Sequence, residues 1–259
     1  CYAALVNAKA KMQADLFVYR LDDELILDFE PGLLVAVTER LESHIVADQV
    51  ELIDASPHFG LLSLQGPKTA DALASLGLAL PGEAFAHVKS PLDDLGEVYV
   101  MNNGRYGVAG CDLYIPTGHL AKATGRLAKA VEGQGGCLAG WQATEIGRVE
   151  AGIPRFGADM DNKTLPPEAG LETRAISYTK GCYIGQEIIA RIRTYGRVNR
   201  SLVGYRLDTD LAIDTELVGD SGKTVGTLTS IVDSPQFGRI ALGLAKCGSE
   251  TPGQVLTAR

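Results

Sequence analysis

Short apolar stretches alternate with polar ones along the first third of the chain. Residues 16–19 and 25–27 are apolar and flank a polar tetrad that includes Asp22 and Asp23, a pattern typical of a β-hairpin. From residue 33 to residue 46, apolar positions recur with the period of an amphipathic helix. A hairpin followed by a helix favours an α+β fold.

A second cycle of strand and helix begins near residue 50. The pattern predicts strands at 61–64, 98–101 and 113–115, and helices at 68–76 and 119–132. The recurring order of strand, helix, strand, strand and helix suggests repeated units of the split βαβ type. From about residue 198, short strands separated by Asp, Ser and Gly turns predict a small terminal β-barrel.

Composition narrows the class of protein. With 259 residues, of which 46% are hydrophobic, the chain can bury a sizeable core. No apolar run reaches the length of about 18 residues that would span a bilayer, and the net charge of -8 disfavours direct nucleic-acid binding. The five cysteines include no CxxC pair, so we expect reduced thiols, a cytoplasmic location and no metal site. Because the chain starts at Cys1, we expect an incomplete N-terminus.

The most informative segment is KGCYIGQE, residues 180–187. Gly181 and Gly185 permit backbone conformations that could present Cys182 or wrap a ligand. Lys180 would favour the thiolate form of Cys182. The alternative is that Cys182 is a small buried apolar residue and Lys180 a solvated charge. Spacing alone does not decide between them.

This octapeptide resembles the signature of the YgfZ family, the folate-binding branch of the glycine-cleavage T-protein (aminomethyltransferase) superfamily. Residues 5–20, 62–67 and 149–161 resemble other stretches of the superfamily, in the same order. The resemblance implies an α+β fold with two ferredoxin-like folate-binding subdomains in residues 1–197, the first one truncated, and a C-terminal β-barrel in residues 198–259. It implies tetrahydrofolate, or its 5,10-methylene form, as the ligand.

The resemblance also implies residues that bind the ligand. In residues 104–116, aligning Gly107, Gly110 and Pro116 puts Asp112 where the transferases have a pterin-binding Glu, although an exposed strand carboxylate is the alternative. Tyr106, Gln186 and Arg191 are assigned to the same ligand. A basic cluster would attract the anionic tail of the folate, or form a solvated or protein-docking face; it comprises Arg174, Lys180, Arg191, Arg193, Arg197, Arg200 and Arg206.

Two further carboxylates match superfamily positions. Asp15 lies in the segment where the transferases have two acids, one of which manages protons, and it either takes that role or is the structural neighbour. Glu150 either contacts folate or caps a neighbouring helix.

Three functions follow from these assignments. The leading hypothesis is a tetrahydrofolate-binding accessory protein that supports assembly or repair of iron-sulfur client enzymes, including some that modify tRNA, with Cys182 and Lys180 as working residues. The alternative is a tetrahydrofolate-dependent aminomethyltransferase that uses Asp15. The third is a scaffold with a vestigial folate site. Whether the protein is an enzyme therefore stays open.

Overall fold

The computed structural model describes residues 1–196 and 198–259, and these residues form two compact units. Segments of the two units are interleaved along the chain. The first unit contains Cys1, Val18–Asp28 and Leu34–Trp141, and the second contains Tyr2–Phe17, Phe29–Leu33 and Gln142–Arg259.

Strands and helices alternate in the first half of the chain, and strands dominate its end. The strands are β1 (Tyr2–Val6), β2 (Met12–Arg20), β3 (Leu25–Asp28), β4 (Phe59–Gln65), β5 (His87–Pro91), β6 (Glu97–Asn102), β7 (Gly110–Pro116), β8 (Arg200–Arg206), β9 (Glu216–Val218), β10 (Thr224–Ser234), β11 (Gly238–Lys246) and β12 (Thr257–Ala258). The α-helices are α1 (Leu34–Glu42), α2 (Thr69–Ala74), α3 (Leu120–Gly133), α4 (Trp141–Glu150), α5 (Glu172–Ala175) and α6 (Gln186–Tyr195).

The first unit is built on a four-stranded antiparallel sheet with the order β4-β7-β6-β5. Successive side chains of a strand point to opposite faces of the sheet. Cys111 and Leu113 of β7 therefore share one face, where they join Leu73 of α2 and Leu127 of α3 in the apolar core. The other face of β7 carries the carboxylate of Asp112.

The second unit combines helices with an open sheet. β1 pairs antiparallel with the first part of β2, and α4, α5 and α6 precede a five-stranded sheet with the order β12-β9-β10-β11-β8. The closed barrel expected for residues 198–259 is wrong, because β8 and β12 lie at opposite edges and the described residues show no pairing between them. β12 has two residues, which is too short to close the sheet.

Most elements predicted from periodicity are confirmed. The hairpin at 16–27 is the β2–β3 pair, whose turn closes when the Leu21 amide donates to the Glu24 carbonyl at 2.9 Å. The helix predicted over 33–46 is α1, and it ends earlier, at Glu42. Among the described residues, we find no helix that is both long and apolar enough to cross a membrane.

Candidate functional site

The residues assigned to ligand or catalysis fall in both units. Asp112 and Tyr106 belong to the first unit, whereas the second contains Asp15, Glu150, Lys180, Cys182, Gln186 and Arg191. Each unit therefore has its own candidate site.

Asp112 is a buried acceptor, not an exposed strand carboxylate. Its exposed fraction is 0%. Oδ1 accepts a hydrogen bond from Ser63 Oγ at 2.8 Å, because the register of β4 and β7 places these two residues opposite each other. Oδ2 accepts from Asn103 Nδ2 at 2.7 Å and lies 3.4 Å from the Tyr19 hydroxyl. Burying a carboxylate costs free energy unless donors such as these satisfy its oxygens.

Arg105 supplies the compensating positive charge. Its Nε lies 2.9 Å from Asp112 Oδ1 and 3.0 Å from Oδ2, and its terminal NH2 nitrogen also contacts Asp28 Oδ2 at 2.5 Å. Burial raises the pKa of Asp28, and Arg105 offsets this only in part. Burial lowers the pKa of Arg105, but Asp112 and Asp28 outweigh it, so the guanidinium pKa rises. The guanidinium is therefore held charged between two carboxylates.

The glycine-rich turn before β7 positions Arg105. The Arg105 amide donates to Gln65 Oε1 at 2.9 Å, and Gln65 Nε2 donates to the Asn103 carbonyl at 2.9 Å. Gly107 has a φ of +72°, a conformation that favours glycine. A Cβ at Gly104 would lie 2.1 Å from the Val108 carbonyl oxygen, so the turn cannot accept a side chain there.

Tyr106 lies half-buried in the same turn, directly after Arg105. The partners Ser63, Asn103 and Arg105 were missed by sequence reasoning, as were Tyr19 and Asp28. Arg105 could have been suspected, because it is the cation of the glycine-rich stretch that contains Asp112. Tyr19 and Asp28 lie on the β2–β3 hairpin, and no sequence pattern pairs that hairpin with β7.

The hydrogen-bond donors around Asp112 determine whether this carboxylate can also bind the pterin ring of a folate. A pterin ring presents a ring N–H and an exocyclic amine side by side, and a carboxylate can accept both. Asp112 therefore has the right chemistry for the ring. Both of its oxygens, however, already accept hydrogen bonds from the chain, and Arg105 provides the paired donors.

In the second unit, Asp15 is held by a tyrosine. Tyr2 Oη donates to Asp15 Oδ2 at 2.7 Å across the β1–β2 pair. Burial, followed by the Asp15 carboxylate, raises the pKa of Tyr2 well above its usual range, so the phenol keeps its proton. The Arg174 guanidinium lies 5.1 Å from the centre of the Tyr2 ring. The tyrosine thus fixes the orientation of the Asp15 carboxylate.

A second carboxylate, Glu30, lies within electrostatic reach of Asp15. Burial raises the pKa of Glu30, Arg155 lowers it, and Asp15 raises it again, with a net rise. Arg155 lies 3.6 Å from Glu30 and 3.3 Å from Glu145. Sequence reasoning missed Glu30, because it lies fifteen positions along the chain in the segment after β3. Asp15 therefore has an acidic neighbour, although its own segment lacks the second acid of the transferases.

The octapeptide forms an exposed bend and turn that leads into α6. Cys182 is exposed, so its interpretation as a small buried apolar residue is wrong. Lys180 is also exposed, and its Nζ lies 4.9 Å from the centre of the Tyr183 ring. Gln186 is the first residue of α6, and Arg191 lies exposed on the same helix. The loop presents a thiol and an ammonium group to solvent.

Gly185 is the glycine that this turn requires. Its φ is +81°, and a Cβ there would lie 3.0 Å from both the Asn7 carbonyl oxygen and Ala10 Cα. Gly181 has no positive φ, and a Cβ there would meet nothing within 4 Å. The two glycines of the motif therefore have different structural roles.

The remaining predicted residues have mostly structural contacts. Glu150 Oε1 accepts from Ser234 Oγ of β10 at 2.5 Å. In the basic cluster, Arg193 stacks over Tyr178 at 3.9 Å, and Arg200 lies 3.4 Å from Glu168. Arg197 lies outside the described residues. Nowhere in the described part of the chain do three or more His, Cys, Asp or Glu side chains come together to hold a metal ion.

Comparison with known proteins places the chain among its relatives. A family model described as the GCVT N-terminal domain matches residues 1–180. The chain belongs to the GCVT family. The superfamily expected from the sequence is thus confirmed.

Relatives of this GCVT-family chain carry transferase names. An aminomethyltransferase of Rubrobacter xylanophilus is 27% identical over 97% of this chain and 67% of its own length. An aminomethyltransferase of Symbiobacterium thermophilum is 30% identical over 90% of this chain and 64% of its own length. A putative chloroplastic transferase of Arabidopsis thaliana is 26% identical over 99% of this chain and 59% of its own length. The chain therefore spans about two thirds of the length of these relatives.

A solved structure extends the comparison to the fold. Aminomethyltransferase T of the Bartonella henselae glycine cleavage system superposes with a TM-score of 0.85, over 100% of this chain and 71% of that one. The sequence identity is 23%, so the likeness concerns the fold. The mixed α/β fold of this GCVT-family chain is similar to that of a glycine-cleavage T protein.

Proposed function

We propose that the protein binds a tetrahydrofolate and transfers a one-carbon unit to it, as an aminomethyltransferase of the GCVT family does. The observation that carries this proposal is the match of residues 1–180 to the family, supported by aminomethyltransferase relatives that align with most of the chain. The proposal includes the two ferredoxin-like subdomains in residues 1–197 and a separate C-terminal domain in residues 198–259.

Two carboxylates have distinct roles in this proposal. Asp112 recognises the ring of tetrahydrofolate or its 5,10-methylene form, and Tyr106 is a further predicted contact. Asp15, oriented by the Tyr2 hydroxyl, holds or moves the proton during transfer, and Glu30 keeps a second acidic group nearby. Gln186, Arg191, Glu150 and the basic cluster of the second unit stay predicted folate contacts.

The test is calorimetric titration with tetrahydrofolate and its methylene form, followed by an assay of one-carbon transfer. We expect saturable binding by the parent protein. Asp15→Asn should lower the transfer rate by about 10²- to 10⁴-fold, the usual contribution of a positioned proton-transfer group, while binding is kept. Asp220→Asn, at an exposed position of the same unit, is the control and should leave the rate unchanged. Absence of saturable binding would refute the proposal.

A second candidate is an accessory role in assembly or repair of iron-sulfur enzymes in the cytoplasm, including enzymes that modify tRNA, without direct nucleic-acid contact. The observation that favours it is the exposed Cys182 in KGCYIGQE, the segment that resembles the YgfZ branch. Aminomethyl transfer has no use for this thiol. The client iron-sulfur proteins would then be the partners of the loop that contains Lys180 and Cys182.

Cys182→Ser separates the two candidates. Under the transferase proposal, the variant keeps one-carbon transfer. Under the accessory role, cells that carry the variant lose iron-sulfur enzyme activity although the protein still binds tetrahydrofolate. Cys137→Ser replaces another exposed cysteine of the second half of the chain and serves as the control.

A further inference from the structure

The buried carboxylate Asp112 has no acceptor site left for a ligand. An ionised carboxylate offers about four lone-pair positions. Its two oxygens already face Ser63, Asn103 and Tyr19, as well as two nitrogens of Arg105. A ring that is to bind Asp112 must therefore displace one of these donors.

Arg105 is the donor that can leave. Tyr19 and Asn103 are almost completely buried, and Ser63 is held opposite Asp112 by the β4–β7 register. Arg105 instead projects from the glycine-rich turn, and 21% of its side chain is exposed. Movement of this side chain opens Asp112 without breaking the sheet.

The group that leaves and the group that would arrive are chemically alike. A guanidinium is a planar fork of N–H donors that binds a carboxylate with two parallel hydrogen bonds. The pterin ring contains a cyclic acylguanidine, whose ring N–H and exocyclic amine form a similar planar pair. One carboxylate can thus accept either group, but not both at once.

We propose that Arg105 is a resident competitor for the pterin site, so that its guanidinium occupies Asp112 until a cyclic acylguanidine ring replaces it. This inference rests on the proposed folate function. The apparent affinity for folate is then the intrinsic affinity multiplied by the fraction of molecules in which Arg105 has swung away. Arg105 therefore sets the affinity of the site.

Asp28 makes the exchange electrostatically feasible. The leaving guanidinium contacts both Asp28 and Asp112, and a neutral ring would not replace its charge. Burial raises the pKa of Asp28, so this carboxyl takes up a proton more readily than an exposed aspartate when the cation leaves.

The alternative is that Arg105 only anchors the glycine-rich turn. Its removal would then weaken ligand binding at Asp112.

The experiment compares binding of tetrahydropterin, which lacks the glutamate tail, by the parent protein and by Arg105→Ala. We expect the variant to bind at least about tenfold more tightly, because the competing state is gone. Millimolar methylguanidinium should weaken tetrahydropterin binding by Arg105→Ala and leave the parent unaffected. Equal or weaker tetrahydropterin binding by Arg105→Ala would overturn the inference.

Two further variants keep the test decisive. If Arg105→Ala does not fold, Arg105→Lys retains a cation without the planar fork and should still bind more tightly than the parent; weaker binding overturns the inference. Arg126→Ala removes an arginine that pairs with Asp93 and Asp94 on the surface of the same unit, and should change nothing. If the parent binds tetrahydrofolate and the Arg105 variants show no gain, only this inference fails. If the parent does not bind tetrahydrofolate, the proposed function fails as well.

Discussion

Cys111 and Asp112 are neighbours on β7 that lie in opposite environments. Strand alternation turns Cys111 into the apolar core with Leu113 and Ile115, while Asp112 faces the polar network around Arg105. Burial raises the pKa of Cys111 to about 12, so its thiol stays protonated. The reactive form of cysteine is the thiolate, and Cys111 should therefore be inert in the folded protein.

We expect iodoacetamide to modify the exposed cysteines of the native protein and to spare Cys111. Cys1, Cys137, Cys182 and Cys247 are all exposed, whereas the exposed fraction of Cys111 is 0%. Mass spectrometry of tryptic peptides, before and after unfolding in urea, measures this directly. Modification of Cys111 at the rate of Cys182 without denaturant would contradict the burial of β7.

The site could be predicted only in part at this scale. The choice of Asp112 came from alignment of Gly107, Gly110 and Pro116, and the structure places Asp112 as the third residue of β7, just after the glycine-rich turn. Arg105 could have been suspected from the same stretch, but Asp28, which binds the same guanidinium, could not, because no local pattern pairs the β2–β3 hairpin with β7. Asp28 joins the network only because its hairpin lies against the same face of β7.

At the scale of elements, the octapeptide turn shows why one of its two glycines is needed. Gly185 precedes α6 with positive φ, and its α-carbon lies against the Asn7–Ala10 turn between β1 and β2. A non-glycine residue in the left-handed region costs about 1–2 kcal/mol. Contacts at 3.0 Å with backbone atoms add to this cost. The glycine at this position therefore allows the start of α6 to pack closely against the β1–β2 turn.

We expect Gly185→Ala to lower the free energy of unfolding by roughly 1–3 kcal/mol, from backbone strain together with the close Cβ contacts. Gly181→Ala is the matched control and should be nearly neutral, because its Cβ would meet nothing within 4 Å. Urea unfolding followed by circular dichroism compares the two variants. Equal stability of both would show that the turn relaxes around the added methyl group.

Helix α4 shows why some elements escaped the sequence patterns. Its buried residues are Arg148 and Val149, and Trp141 at its start is largely exposed. Arg148 donates to Glu145 and Asp159 in the interior, so a charged residue occupies a core position. A search for apolar residues at helical spacing cannot detect such a helix. The elements that were predicted well, such as α3, keep apolar residues on the buried face.

At the scale of the whole molecule, the order of the chain does not follow the compact units. Tyr2–Phe17 belongs with Gln142–Arg259, while the end of β2 belongs with the four-stranded sheet. Local patterns report only neighbours along the chain, so they located strands and helices but not this interleaving. The boundary between residues 197 and 198 stays a prediction. The open terminal sheet was missed for a similar reason, because short strands and turns are common to barrels and open sheets.

Both units contain phenols whose protonated state is favoured by folding. Burial is the largest cause that raises the pKa of Tyr19 and Tyr114 in the first unit, and of Tyr2 and Tyr205 in the second. A group whose pKa is higher in the folded than in the unfolded state contributes stability below its unfolded pKa. That stability is lost as the pH rises through the folded value. For Tyr205 the window runs from 10.0 to about 12.

We therefore expect the free energy of unfolding, measured by urea, to be steady near neutral pH. Above pH 10 it should fall steeply, by up to about 1.4 kcal/mol per pH unit for each such group. Tyr205→Phe should flatten part of this fall, since its buried hydroxyl has no hydrogen-bond partner among the described residues. For the same reason the variant should be no less stable than the parent at pH 7. Tyr195→Phe, at a highly exposed position, is the control and should leave the pH profile unchanged. If the pH dependence of the free energy of unfolding is the same for Tyr205→Phe and the parent, this phenol ionises equally well in the folded and unfolded chain. The loss of stability at alkaline pH would then come from the other buried phenols.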